Sequence, residues 1–132
     1  MKNCPCGNLK PYLKCCKPYI DGKRAAPTAE TLMRSRYSAY SKAKIGYIQN
    51  TMRSPANDQF DPVSAKAWAQ ANQWIKLVVI RSEHGNTEDE SGLVEFKATY
   101  RYQGQLHTMH EESLFTKHDG QWYYVSGKTI DN

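Results

Sequence analysis

The spacing of apolar residues along this chain changes once, near residue 74. In TAETLMRSRYSAYSKA, residues 28–43, Leu32, Met33, Tyr37 and Tyr40 recur at helical intervals and make one stripe. Thr28 stands where an N-cap belongs, and Glu30 complements the dipole in the first turn. A second short helix, KIGYIQNTM, puts Ile45, Ile48 and Met52 on one side and stops before Pro55. A third opens with Asp61 as cap and Pro62 at its first position, and takes its apolar face from Trp68 and Ala71. Beyond it the period becomes two. WIKLVVI is a dense β-branched run that ends in the turn-rich HGNTEDESG. LVEFKATYRYQG then alternates, with Val94, Phe96, Ala98, Tyr100 and Tyr102 on one face and Glu95, Lys97 and Arg101 on the other. LHTMHEESLFTK and QWYYVSG follow, joined through His118-Asp119-Gly120, a hairpin signal. Three helices followed by antiparallel strands predict an α+β domain with the helices on one face of a curved sheet.

Two charged residues interrupt this pattern. Arg36 falls on the helical stripe, so it either snorkels past the stripe's edge or pairs with a buried carboxylate. On the third strand Met109, Glu111, Ser113 and Phe115 share one face, while His110, Glu112 and Leu114 share the other. A Phe115 packed inward takes Glu111 with it. That carboxylate is then either the structural partner of Arg36 or Arg34, or a general base with a raised pKa. The ion pair is the expectation, because an arginine in an apolar stripe needs a partner and no second carboxylate shares the inner face. His107 reaches that face only at the far end of the strand, and His84 and His118 fall in turns and read as surface residues. The sequence contains no nucleophile elbow, phosphate loop or histidine-rich metal site.

At 132 residues the chain is long enough for one hydrophobic core plus a small appendage, and no stretch approaches the apolar length needed to cross a membrane. Its formal charge of +5 is uneven. Residues 1–24 carry six basic side chains against Asp21 alone, whereas the rest holds twelve of each sign. A body without positive excess makes nucleic-acid binding by the sheet an unfavoured reading, and its alternating aromatics are explained by core packing.

All four cysteines, Cys4, Cys6, Cys15 and Cys16, lie in MKNCPCGNLKPYLKCC. Disulfides or redox thiols are one reading. Two bridges between such close pairs would staple only a tiny loop, and no apolar leader precedes them, which points to the reducing cytoplasm. Two thiol pairs separated by a short turn suit a tetrahedral metal better, with zinc expected and iron the alternative. Pro5 stiffens the first pair, and Gly7 lets the backbone turn its amides toward sulfur. Four thiolates on a divalent ion leave a charge of about −2, which Lys2, Lys10, Lys14 and Lys17 surround and offset. The same lysines make a basic docking surface.

Cys-Pro-Cys-Gly followed by Lys10, Tyr12 and Cys15-Cys16 resembles the SEC-C motif, a zinc-binding element found at the C-terminal end of the SecA translocation motor and on many bacterial domains. Asn8 and Leu9 depart from the motif's usual Gly-Ser-Gly run while every ligand is kept. The segments LMRSRYSAY, YIQNT, VEFKATY, HEESLF and DGQWYYVSG resemble the YchJ family, also labelled UPF0225, a group of bacterial proteins of uncharacterised function. The resemblance implies SEC-C elements joined to a core similar to nuclear transport factor two, a cone of helices wrapped by a bent sheet. Where that family tends to read His-Glu-Arg-Ser, this chain has Glu112. Some members also carry a second, C-terminal metal motif, which has no counterpart before Asn132.

Together these readings divide the chain into a metal-binding module, residues 1–24, and a nuclear-transport-factor-two-like body, residues 25–132. They describe a cytoplasmic zinc-binding adaptor whose module docks on a protein partner of the secretion machinery or the ribosome. The competing expectation is a small-molecule binder or enzyme that uses the cone interior around Glu111. Neither reading fixes an oligomeric state.

Overall fold

In the computed structural model of the chain, which describes residues 2–130, the helices precede the strands in the expected order. A 3₁₀ turn, Tyr12–Lys14, and a short helix α1, Lys17–Ile20, follow the first cysteines. Then come α2 (Ala29–Ser41), α3 (Ile45–Asn50) and α4 (Pro62–Ala71), and after them β1 (Asn72–His84), β2 (Ser91–Tyr102), β3 (Gln105–His118) and β4 (Gln121–Thr129). The strands form one open antiparallel sheet in chain order. That architecture is the expected α+β cone, with α2 lying across the inner face on β2 and β4.

Local chemistry accounts for the boundaries. Thr28 Oγ1 accepts from the Thr31 amide at 3.1 Å and starts α2. Asp61 accepts from the Val63 amide at 3.0 Å to start α4, where Pro62 occupies a position with no intrahelical donor to lose. The turn at Asp119-Gly120 has φ of 50° and 78°, the doubly left-handed geometry of a two-residue hairpin. Gln103-Gly104 repeats it between β2 and β3 at 50° and 79°.

One core fills the space between α2 and the sheet. Leu32, Met33 and Tyr37 from the helix meet Val94, Phe96, Phe115 and Trp122 from the strands. Cys4, Cys6 and Cys16 belong to the same cluster, so the cysteine turn is packed into the body rather than hung beside it. A second, smaller cluster of Ala39, Ile45, Ile48, Met52 and Ala69 joins α3 and α4 to the back of α2. The chain after α3 covers the free edge of β4: Tyr124 donates to the Thr51 carbonyl and Arg53 to the Tyr124 carbonyl, at 2.8 and 3.0 Å.

β1 differs from its dense apolar sequence. Leu77 is buried, but Ile75, Val78 and Ile80 are exposed, because β1 is the opposite edge strand and α2 covers only the inner face of the sheet. The helical face of α4 also differs, since Ala69 is its buried residue while Trp68 is partly exposed. Among the described residues no helix is long and apolar enough to cross a membrane.

Candidate metal centre and ligand cavity

The sequence CPCG closes on itself before it meets the second cysteine pair. Cys4 donates its amide to the Lys10 carbonyl at 2.7 Å, and Gly7 donates to the Cys4 carbonyl at 3.2 Å. Gly7 takes φ of 96°, and a Cβ there would lie 3.2 Å from the Leu77 carbonyl of β1, so glycine serves both the turn and its approach to the sheet. The 3₁₀ turn then returns Cys15 and Cys16 to the first pair. All four sulfur atoms lie within 4.8 Å of one another, with Cys6 to Cys15 at 3.7 Å and Cys15 to Cys16 at 4.0 Å. A tetrahedron of thiolates at Zn–S of about 2.3 Å has S···S edges of about 3.8 Å. The four sulfurs are therefore placed to hold one metal ion.

The surroundings of the sulfurs suit a metal thiolate site. Cys4 Sγ lies 3.4 Å from Ser38 Oγ on α2, and Asn8 Nδ2 donates to Cys15 Sγ at 3.4 Å. Asn8, which replaces a motif residue, is thus a donor to a ligand. Arg34 of α2 donates to the Cys6 carbonyl at 2.7 Å and ties the turn to the body. Hydrogen bonding from Cys16 holds the Cys4 thiol well below the ordinary range, and bonding to Cys4 together with burial pushes Cys16 up. A divalent cation takes the place of protons shared in this way. Lys2, Lys10 and Lys14 are exposed around the turn, whereas Lys17 is engaged with Asp21 one helical turn along.

On the other side of α2, beneath its stripe, lies a cavity of about 180 Å³. Met33, Arg36, Tyr37 and Tyr40 form its roof, Trp68, Trp74 and Phe96 one wall, and Met109, Glu111, Ser113, Phe115 and Tyr124 its floor. The inward face of β3 is the one that the alternation assigned. A bulge brings Tyr124 here: Val125 is the extra residue between the pairs Leu114–Ser126 and Phe115–Tyr124.

The ion pair expected for Glu111 is not formed. Arg34 pairs instead with Glu30, one turn back on α2, at 3.0 Å. Arg36, only 7% exposed, donates from Nη1 to the Ile48 carbonyl at 2.9 Å and to Thr51 Oγ1 at 2.7 Å, and lies over the Tyr124 ring at 4.7 Å. The C-terminus of α3 supplies the partial negative charge that a carboxylate was expected to provide. The Glu111 side chain is left in the cavity with no ion pair or hydrogen bond among the described residues, and burial raises its pKa. Arg36 and Glu111 thus share a cavity without bridging it. Glu112, on the outer face, accepts from Arg81, as does Glu95, which also meets His110 at 2.6 Å. Sequence reasoning missed the Ile48 carbonyl, the Thr51 hydroxyl and the Tyr124 ring as partners of Arg36, because a helix-end carbonyl, a cap hydroxyl and a bulge-directed ring leave no periodic signal.

Comparison with known proteins agrees with this geometry. The model of the YchJ middle NTF2-like domain matches residues 28–127, the body without the cysteine turn. A UPF0225 protein of Geobacter sulfurreducens is 44% identical over 127 residues, covering 96% of this chain and 79% of that protein. The solution structure of a SEC-C motif containing protein from Rhodopseudomonas palustris superimposes with a TM-score of 0.88 at 37% identity, over 98% of this chain and 100% of that one. The crystal structure of a SEC-C motif containing protein from Psychrobacter arcticus gives 0.82 at 30% identity, over 100% and 85%. On these matches the chain belongs to the UPF0225, or YchJ, family.

Proposed function

We propose that this chain is a metal-stabilised small-molecule-binding protein, in which zinc on Cys4, Cys6, Cys15 and Cys16 fixes the N-terminal turn against α2 and the cavity beneath α2 receives the ligand. Zinc suits four thiolates that leave no open position, and iron is the substitute to test against. The observation that carries the binding reading is Glu111, a half-buried carboxyl group in a largely apolar cavity, with no side-chain hydrogen bond or ion pair among the described residues. Partial burial of such a group without a bond disfavours its charge, and apolar cavities with a few converging polar groups are the usual form of ligand sites. A protein-observed NMR screen of small aromatic fragments tests the reading. Shifts clustered on Met33, Phe96 and Tyr124, abolished by filling the cavity with Ser113→Leu, are the expected result; no cluster in the wild type refutes it.

A second reading, a protein adaptor of the secretion machinery or ribosome, is favoured by Leu9 and Leu13, which are 86% and 58% exposed on the metal turn beside Lys10 and Lys14. Because that turn shares the core of the body, the suitable test is a surface change rather than a deletion. Leu9→Ser with Leu13→Ser is expected to abolish capture of such a partner while leaving the melting midpoint unmoved. Equal capture by the variant removes this reading.

A further inference from the structure

The polar groups of the cavity narrow the ligand, on the reading that the cavity is a ligand site. Arg36 has five N–H groups in a planar fork. Those on Nη1 are directed to the Ile48 carbonyl and Thr51 Oγ1, and the Tyr124 ring covers one face of the fork. Nε and Nη2 have no acceptor among the described residues, although the side chain is only 7% exposed. Two parallel N–H groups on one guanidinium edge are the pattern that grips a carboxylate bidentately. Among the described residues no carboxylate takes that edge, since Glu30 serves Arg34, and Glu111, the one acidic residue among them that lines the cavity, pairs with neither arginine.

Charge then selects between an anion and a cation. Arg36 stays charged at any ordinary pH. Facing Glu111, α2 contributes Arg36, Tyr37 and Tyr40 and β4 contributes Tyr124, while α4, β1 and β2 contribute the uncharged Trp68, Trp74 and Phe96. Burial pushes all three tyrosines upward, so they are neutral here. The cavity therefore holds one permanent cation and one carboxyl group whose charge burial disfavours. An organic cation would be repelled by the first, whereas an anion neutralises it. The volume of about 180 Å³ sets the size, because a dry cavity of roughly 150 Å³ already accommodates benzene.

We propose that the cavity binds a single-ring aromatic carboxylate, with its two oxygens on the Nε–Nη2 edge of Arg36 and its ring among Trp74, Phe96 and Phe115. Two carboxylates cannot both stay ionised beside one arginine in so small a space, so Glu111 holds a proton in the complex. Binding is then linked to proton uptake, and affinity falls by up to about tenfold per pH unit once Glu111 ionises in the unliganded protein.

Calorimetric titration of the full chain with benzoate, benzylamine and toluene, at mildly acidic and mildly alkaline pH, tests this assignment. Benzoate is expected to bind alone among the three, with uptake approaching about one proton at the alkaline pH. Arg36→Lys, which keeps the charge and loses the fork, is expected to weaken benzoate by at least about tenfold. Because Arg36 also holds the end of α3, Glu111→Gln supplies an independent answer: it is expected to retain benzoate binding and lose the pH dependence. Benzoate binding with no proton uptake overturns the role given to Glu111. Toluene or benzylamine binding in place of benzoate overturns the carboxylate assignment and leaves the ligand cavity standing. If none of the three binds, the assignment falls, and a silent fragment screen as well takes the cavity reading with it.

Discussion

An ionised Glu111 shares a mostly aromatic cavity with Arg36 but has no cation within ion-pairing distance among the described residues, and burial disfavours its charge. Its folded pKa lies above the unfolded value. Below the unfolded pKa both states carry the proton and the group is neutral toward stability. As pH rises past that value the unfolded chain releases its proton first, so stability declines until pH has passed the folded pKa. Glu111→Gln removes this decline. Denaturant melts at neutral pH are therefore expected to show a variant at least as stable as the wild type, and melts at acidic pH no gain. Breaking a buried ion pair would instead cost about 3–5 kcal/mol. A loss of that size at neutral pH would show that Glu111 has a cationic partner in solution.

Element by element, β4 is the strand whose irregularity shapes the cavity. The extra residue Val125 lets Tyr124 face inward, and Gly127 leaves room for its hydroxyl: a Cβ there would stand 2.5 Å from Tyr124 Oη and 3.3 Å from Glu111 Oε2. Gly127→Ala is expected to push the Tyr124 ring off Arg36 and to lower stability by about 1–3 kcal/mol, the usual cost of overpacking. Urea melts read the loss; an unchanged midpoint would mean that the ring has another place to go. The elements themselves were legible in the sequence, since the stripe of α2, the caps Thr28 and Asp61, the inward face of β3 and the Asp119-Gly120 turn all rest on local spacing. What the sequence did not disclose depends on residues far apart in the chain. Arg36 is held by a carbonyl twelve residues away, and Arg34 reaches back to Cys6 across 28. The uncovered outer face of the sheet, not composition, leaves half of the apolar run in β1 exposed.

Across the whole molecule, α2 joins the two features that bear on function. Ser38 touches Cys4 and Arg34 holds the Cys6 carbonyl, while Met33, Arg36, Tyr37 and Tyr40 roof the cavity. The fold of the body was readable from its periodicity, but the packing of the cysteine turn into its core was not, because no spacing rule places Cys4, Cys6 and Cys16 in the core with Leu32 and Phe96. The metal centre is therefore expected to stabilise the cavity as well as the turn. The most direct measurement is thermal unfolding of the full chain followed by the emission of its tryptophans, two of which, Trp68 and Trp74, line the cavity. It is run on reduced protein carrying about one zinc per chain and again after chelation. Removal of the metal is expected to lower the tryptophan midpoint by more than about 10 °C. A midpoint that stays in place after the metal is gone would contradict the account, by showing that the body and its cavity stand without the four-cysteine centre.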